Sequence, residues 1–207
     1  MRLSRSLFRN STAALLLTLS LSVPTLAGTD TSARASAGVV DISAVQIDNF
    51  GRVDSHYYRG AQPQGRDYAD LVALGVKTVI NLTSDDAEAD EQAMVESAGM
   101  KYVQIPMTTR TEPTSAQLAE FLKIVNDPAR QPVYVHCVGG RHRTGVMTAV
   151  YRMSGDARLT SDQAFAEMKQ FKFGADFLHP EFKRFVYGYR PDVTNASSDA
   201  LVADAHQ

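Results

Sequence analysis

The stretch from Tyr134 to Gly145, YVHCVGGRHRTG, constrains this chain more than any other. PVYVHC reads as a short strand ending at the cysteine, and TGVMTAVYRMSG reads as a helix ending at Gly155. Between them, Gly139 and Gly140 let the backbone turn so tightly that successive N–H groups can point into one concavity. The helix begins near Arg143 and adds its unsatisfied N–H groups and positive dipole end at the same place. Such a cradle suits a tetrahedral oxyanion, and the chain's single cysteine, Cys137, lies at its base.

Strand and helix alternate through the rest of the chain. RVDSHYYRG contains an edge strand, and RDYADLVALG reads as a helix with Leu71 and Leu74 inward and Gly75 at its C-terminal cap. VKTVINL and KYVQIPM are strands, with AEADEQAMVESAG between them as a helix ending at Gly99. TSAQLAEFLKIVND and TSDQAFAEMKQF each open on a capping box, Thr114 with Gln117 and Thr160 with Gln163. HPEFKRFVYGY closes the series as a helix. This alternation predicts an α/β fold with a central, mostly parallel sheet flanked by helices. Function in such sheets sits at the carboxyl ends of the strands, and Cys137 is at one of them.

The first 27 residues differ in kind. Arg2, Arg5 and Arg9 precede an apolar run, Ala13 to Val23, interrupted only by Thr and Ser, and TLAG follows with Ala27 at a cleavage position. This is a secretory signal-peptide pattern. The run is too short for a comfortable membrane span and no later segment is long enough; an uncleaved N-terminal anchor is the alternative reading. The expected organisation is a signal peptide over 1–27, a flexible lead-in over 28–45, one domain over 46–190 and a fraying tail over 191–207. The protein is then periplasmic or secreted, without stable membrane insertion. Removing the leader's three arginines from 21 basic residues leaves 18 against 23 acidic ones, a net charge of −5. A mildly acidic domain is not expected to bind nucleic acid, so any positive field must be local.

A lone cysteine forms no internal disulfide, and an exposed thiol in an oxidising compartment is open to sulfenic acid or mixed disulfides. An inert buried thiol would escape that chemistry. The neighbours of Cys137 argue for a reactive one, because cysteines at helix N-termini have pKa values of roughly 3.5–7.5 and serve as thiolates. Arg143 can fork two N–H bonds onto phosphate oxygens, and Thr144 offers a hydroxyl to the sulfur.

His136-Cys137-x-x-Gly140-x-x-Arg143-Thr144-Gly145 resembles the HCxxGxxR[ST]G signature of the cysteine-dependent protein tyrosine and dual-specificity phosphatases, in the strand–phosphate loop–helix context of that family. YYRGAQP, LGVKTVINL and KYVQIPM extend the likeness over about residues 46–190, and resemble the atypical dual-specificity branch of plant and fungal enzymes. Members of that branch act on phosphotyrosine, other phosphoesters and inositol pyrophosphates. The resemblance implies that Cys137 attacks phosphorus and forms a phosphocysteine intermediate. Val138, Gly139, Gly140, Arg141 and His142 would bind the phosphate through their amides, with Arg143 stabilising the transition state. Thr144 would stabilise the thiolate, and His136 would brace the cysteine from behind. The implied partner is a phosphorylated substrate, either a phosphoprotein or a small phosphoester. Neither a cofactor nor a metal is implied.

The likeness breaks at the general acid. These phosphatases usually carry an aspartate on a loop after a strand, but the corresponding IPMTTRTEPTSAQ contains none. Thr109 stands near the expected position, and Glu112, the segment's only carboxylate, is the candidate catalytic acid, with a solvated charge near a helix N-terminus as its alternative reading. Asp85 and Asp86 are alternatives, read first as charges at a helix start, where the dipole favours them. Weak proton donation matters least for good leaving groups, which tilts the expected substrate toward phosphotyrosine or pyrophosphate and away from phosphoserine. Arg141 and His142 either flank a bound polyanion or point to solvent, and Lys169, Lys172, Lys183 and Arg184 could extend the basic face. Three functions fit: an exported phosphatase, a phosphate-binding pseudophosphatase, and a rhodanese-type sulfurtransferase. The Arg143-Thr144-Gly145 finish favours the first.

Overall fold

The computed structural model describes residues 42–84 and 86–191. The leader, most of the lead-in, Asp85 and nearly all of the tail lie outside the described residues. Five strands form one sheet: β1 (Gly51–Arg52), β2 (Tyr57–Gly60), β3 (Thr78–Asn81), β4 (Lys101–Gln104) and β5 (Val133–His136). Their order is β1-β2-β5-β3-β4, with β1 antiparallel and every other pair parallel. The expected edge strand in RVDSHYYRG is therefore split. Two-residue β1 takes the edge, while β2 is buried along its length and pairs with β5.

The helices are α1 (Asp67–Ala73), α2 (Glu91–Ser97), α3 (Ser115–Val125), α4 (Arg143–Ser154), α5 (Ser161–Gln170) and α6 (Pro180–Gly188). α3 and α5 open on the expected capping boxes, each threonine accepting from the third-residue amide while the glutamine returns the bond. α1 ends where Gly75 adopts a φ of +79°, a conformation a side chain would strain. α2 begins only at Glu91, later than the acidic run AEADEQ suggests.

Successive strand residues point to opposite sheet faces, and this divides the core. Tyr57, Ile80, Val133 and Val135 face the larger cluster, which takes in the inner sides of α3 to α6. Tyr58, Val79 and Tyr134 face the smaller one, with Leu71 of α1, Leu74 at its C-cap and Val95 of α2. Phe121, Phe173 and Phe182 are fully buried in the larger cluster. Truncating Phe121 to alanine would cost about 3–5 kcal/mol, because a packed core relaxes only partly around the cavity. With helices on both faces, the carboxyl end of central β5 is left as the place where backbone can meet a ligand.

Candidate active site

β5 lies between β2 and β3, so His136 pairs in register with Gly60 on one side and Asn81 on the other. The chain leaves the sheet at Cys137, which is 4% exposed. His136 is fully buried, its ring stacked on Tyr134, and its Nε2 lies 2.8 Å from Glu91 Oε1. Glu91 is fully buried as well, and its Oε2 accepts from Asn81 Nδ2 at 2.5 Å. Asn81 Nδ2 also donates to the Tyr102 hydroxyl, and Asn81 Oδ1 accepts from the amide and hydroxyl of Thr83. A chain of polar contacts thus runs from behind the cysteine across the neighbouring strand. Glu91 escapes sequence reading because it sits in an acidic run that looks solvated.

The crown of the loop is fastened to β2. Gly140 has a φ of +62°, and a Cβ there would fall on the backbone of Gly60. The Gly140 carbonyl accepts from Arg59 Nη2 at 2.6 Å and from Asn49 Nδ2 at 2.8 Å. Asn49 also donates to the Phe171 carbonyl, and the Gln62 amide donates to the Val138 carbonyl at 3.1 Å. Arg59 is wholly buried, its guanidinium 4.0 Å over the Phe171 ring, and burial lowers its pKa. Among the described residues it has no carboxylate partner, so its charge lies unneutralised beneath the loop. Drawing the Gly140 carbonyl inward turns the Arg141 N–H outward, since the peptide is planar and trans. Among the described residues, the amides of Val138 to His142 donate to nothing. A tyrosine-arginine-glycine strand was the available clue to Arg59; nothing local marks Asn49.

The side chains around this cradle only partly follow expectation. Arg143, at the start of α4, donates from both terminal nitrogens to Asp86, at 2.8 and 2.6 Å, and from Nη1 to the Met107 carbonyl at 3.1 Å. Burial alone would lower its pKa; the Asp86 hydrogen bonds and the neighbouring Cys137 raise it instead. Asp86 is 40% exposed, and the bond to Arg143 holds its carboxyl below the usual value against the opposing effect of burial. The helix-start reading of Asp86 is thereby corrected, because α2 begins five residues later and this carboxylate faces the phosphate loop. Glu112 is engaged elsewhere, in a 2.8 Å ion pair with Arg184 of α6. Thr109 turns its carbonyl to His179 Nδ1, 3.1 Å away. Thr144 is fully buried, and its hydroxyl bonds neither Cys137 nor any other described group.

His142 neither flanks an anion nor points to solvent. Its Nε2 lies 3.0 Å from the Phe173 carbonyl, its ring packs edge-on against Phe173, and the His179 ring is 3.7 Å away. Burial, then the nearby His179, lowers its pKa, so the side chain is neutral and only its amide can serve the cradle. Arg141 reaches toward Asp48 at 3.9 Å. The other expected cations are likewise paired: Lys172 with Asp48, Lys169 and Lys183 with Asp176, and Arg184 with Glu112. No broad basic face results. Among the described residues, no group of three or more His, Cys, Asp or Glu could hold a metal ion, and no helix is long and apolar enough to cross a membrane.

The chain is similar to known proteins in sequence and in fold. The family model described as DSP-PTPase phosphatase fused to NAD+ kinase matches residues 38–181. The inositol diphosphatase SIW14 of Saccharomyces cerevisiae is 29% identical over 140 residues, covering 65% of this chain but 49% of the yeast protein. The chain thus spans about half the length of that relative. The Dictyostelium discoideum protein named "Probable tyrosine-protein phosphatase DG1060" is 32% identical over 59% of this chain and 75% of its own. Among solved structures, Pseudomonas aeruginosa TpbA aligns at 27% identity with a TM-score of 0.62, covering 72% of this chain and 90% of that one. A cysteine-to-serine variant of TpbA has been solved with phosphotyrosine.

Proposed function

We propose a reaction for this chain from one premise: it belongs to the DSP-PTPase phosphatase family and is a cysteine-based phosphatase of the atypical dual-specificity type. The reaction is metal-independent hydrolysis of phosphomonoesters, phosphotyrosine-like in their leaving group. The observation that carries it is the meeting of Cys137, the undonated amides of Val138 to His142 and the Arg143 guanidinium at the end of β5.

A phosphate dianion enters the cradle and takes Arg143 from Asp86, using the same two-pronged geometry. The Cys137 thiolate attacks phosphorus in line with the ester oxygen, the S–P bond forms and the P–O bond breaks. Loop amides and Arg143 hold the equatorial oxygens while charge spreads over them. Asp86, having lost its cation and gained a dianion as neighbour, then has its carboxyl pKa raised, takes up a proton from solvent, and passes it to the leaving oxygen. Glu112, in its pair with Arg184, takes no part in this step. Water cleaves the phosphocysteine, Asp86 taking its proton, and inorganic phosphate leaves with Cys137 restored. His136, gripped by Glu91, keeps the base of the loop in place; Thr144 lies ready to donate to the sulfur when it departs as thiolate.

Two further readings have specific support. The name of the yeast relative favours an inositol phosphate or pyrophosphate as substrate. The occupation of Arg143 by Asp86 favours a phosphate-binding pseudophosphatase, in which the carboxylate is never displaced. The leader pattern supports export to the periplasm or medium, which cell fractionation with an epitope-tagged chain would test. The deciding experiment is phosphate release by the purified protein, beside Cys137→Ser, from an aryl phosphate, phosphotyrosine and phosphoserine peptides, and inositol hexakisphosphate. Turnover lost in the variant is expected, with the phosphotyrosine peptide preferred. No turnover, with phosphate still bound, would leave the pseudophosphatase.

A further inference from the structure

Beside the phosphate loop lies a cavity of about 490 Å³, within the size range of small-ligand pockets. Val138 and Gly139 of the loop line it together with Asp86, the partner of Arg143, so the cavity adjoins the phosphate cradle on the side of that carboxylate. Its lining carries the carboxylates Asp48, Asp67, Asp86 and Glu88 and not one lysine or arginine. Asp48 is neutralised from outside by Lys172 and Arg141. Among the described residues no cation pairs with Asp67 or Glu88, and a bound phosphate would take the one that pairs with Asp86.

A cluster of carboxylates is often just a solvated surface, but Gln62 marks this one as a site. Gln62 is 9% exposed, lines the cavity, and is tied through its own amide to the Val138 carbonyl. Although the Tyr68 hydroxyl is nearby, neither Gln62 Nε2 nor Oε1 makes a well-formed hydrogen bond with any described group. A buried amide with no partner is costly unless a ligand or water completes it. It offers a donor and an acceptor side by side, as a peptide group does.

We propose that this cavity is the leaving-group site and that it receives a phosphotyrosyl protein segment carrying lysine or arginine beside the phosphotyrosine. The inference rests on the phosphatase reading above and narrows its substrate. Asp67 and Glu88 receive the cationic side chain, and Gln62 pairs with the segment's backbone. The same lining repels a ring bearing further phosphates, since each would face Asp67 and Glu88, with which no cation pairs among the described residues. The cavity is also far larger than a lone ammonium group requires, which favours a side chain with its flanking peptide.

The test is binding to Cys137→Ser, which reads recognition without needing turnover. The probes are phosphotyrosine peptides flanked by lysine or arginine, the same peptides flanked by glutamate, and inositol hexakisphosphate, each followed by calorimetry. The basic peptides are expected to bind on the order of tenfold more tightly than the acidic ones, as two added attractions at a part-exposed site allow. Introducing Glu88→Lys beside Cys137→Ser, on an exposed side chain that does not threaten folding, should erase or invert that ratio. Equal binding of the two peptide sets, or tighter binding of inositol hexakisphosphate than of the basic peptides, overturns the proposal. Failure of the wild-type protein to release phosphate from a small aryl ester would instead count against the phosphatase mechanism, and the peptide ratio on Cys137→Ser would still decide this one.

Discussion

The phosphate loop from His136 to Gly145 is fastened from the interior, whereas the loop from Met107 to Pro113, buried at its two ends, is fastened at the surface over Thr108 to Glu112. In the first, Arg59 and Asn49 hold the Gly140 carbonyl, Glu91 holds His136, and Gln62 holds Val138. In the second, the hydroxyls of Thr108 and Thr111 bond each other, the Arg110 amide donates to Thr108, and His179, at the N-cap of α6, and Arg184 of α6 bond Thr109 and Glu112. Both loops reach Arg143, yet the second does so only through the Met107 carbonyl. Groups that must meet a phosphorus atom within tenths of an ångström are set in packed structure. The segment that families of this type use for proton donation is held by part-exposed polar contacts, which open at lower cost.

The sharpest way to break this contrast is Gly140→Ala. The left-handed backbone costs about 1–2 kcal/mol for an alanine and the clash with Gly60 about 1–3 more. Urea unfolding should therefore register a loss of about 3 kcal/mol, against less than about 0.5 for Thr111→Ala on the surface loop. A loss below about 1 kcal/mol for Gly140→Ala would mean that the crown has room to move. Next in size is Asp86→Asn, expected to lower kcat on an alkyl phosphate by about 10²-fold without raising KM, because a competitor for Arg143 is weakened together with the acid. Glu112→Gln should stay within about twofold on the same substrate. The reverse ranking would return proton donation to the surface loop.

Glu91→Gln keeps the shape of the side chain but replaces the buried carboxyl group facing His136 with an amide. A cost of about 1–2 kcal/mol in stability is expected, with a matching fall in turnover, and intact turnover would show that His136 needs no brace. The smallest effect concerns pH. The folded pKa of His142 is depressed below its ordinary value of 6.5, so the unfolded chain binds the proton first. Stability is then full above that value and declines as pH falls below it toward the folded pKa. The thermal midpoint should drop between pH 7.5 and 5.5, and less so in His142→Asn; equal slopes would remove His142 from the account.

What could be read from the chain alone was local. The capping boxes at Thr114 and Thr160, the glycine that ends α1 and the loop around Cys137 each involve neighbours within a few residues. Missing were contacts across long stretches of chain: Asn49 and Arg59 to Gly140, and Asp86 to Arg143. Glu91 and Asp86 both sit in one acidic run, and only folding separates a buried brace from a half-exposed partner of the loop. The position of β2 inside the sheet was hidden likewise, because a four-residue strand carries too little pattern to show which edges are paired.

A Cβ on Gly140 would fall on the backbone of Gly60, and one on Gly60 would fall on the Tyr134 hydroxyl, so neither position has room for a side chain. The exposed carboxylates of the adjoining cavity, such as Glu88, are under no such steric constraint. Mutation can therefore redraw which molecules this fold accepts while the step performed on them stays the same. A lineage built on it would be expected to diversify in diet rather than in chemistry.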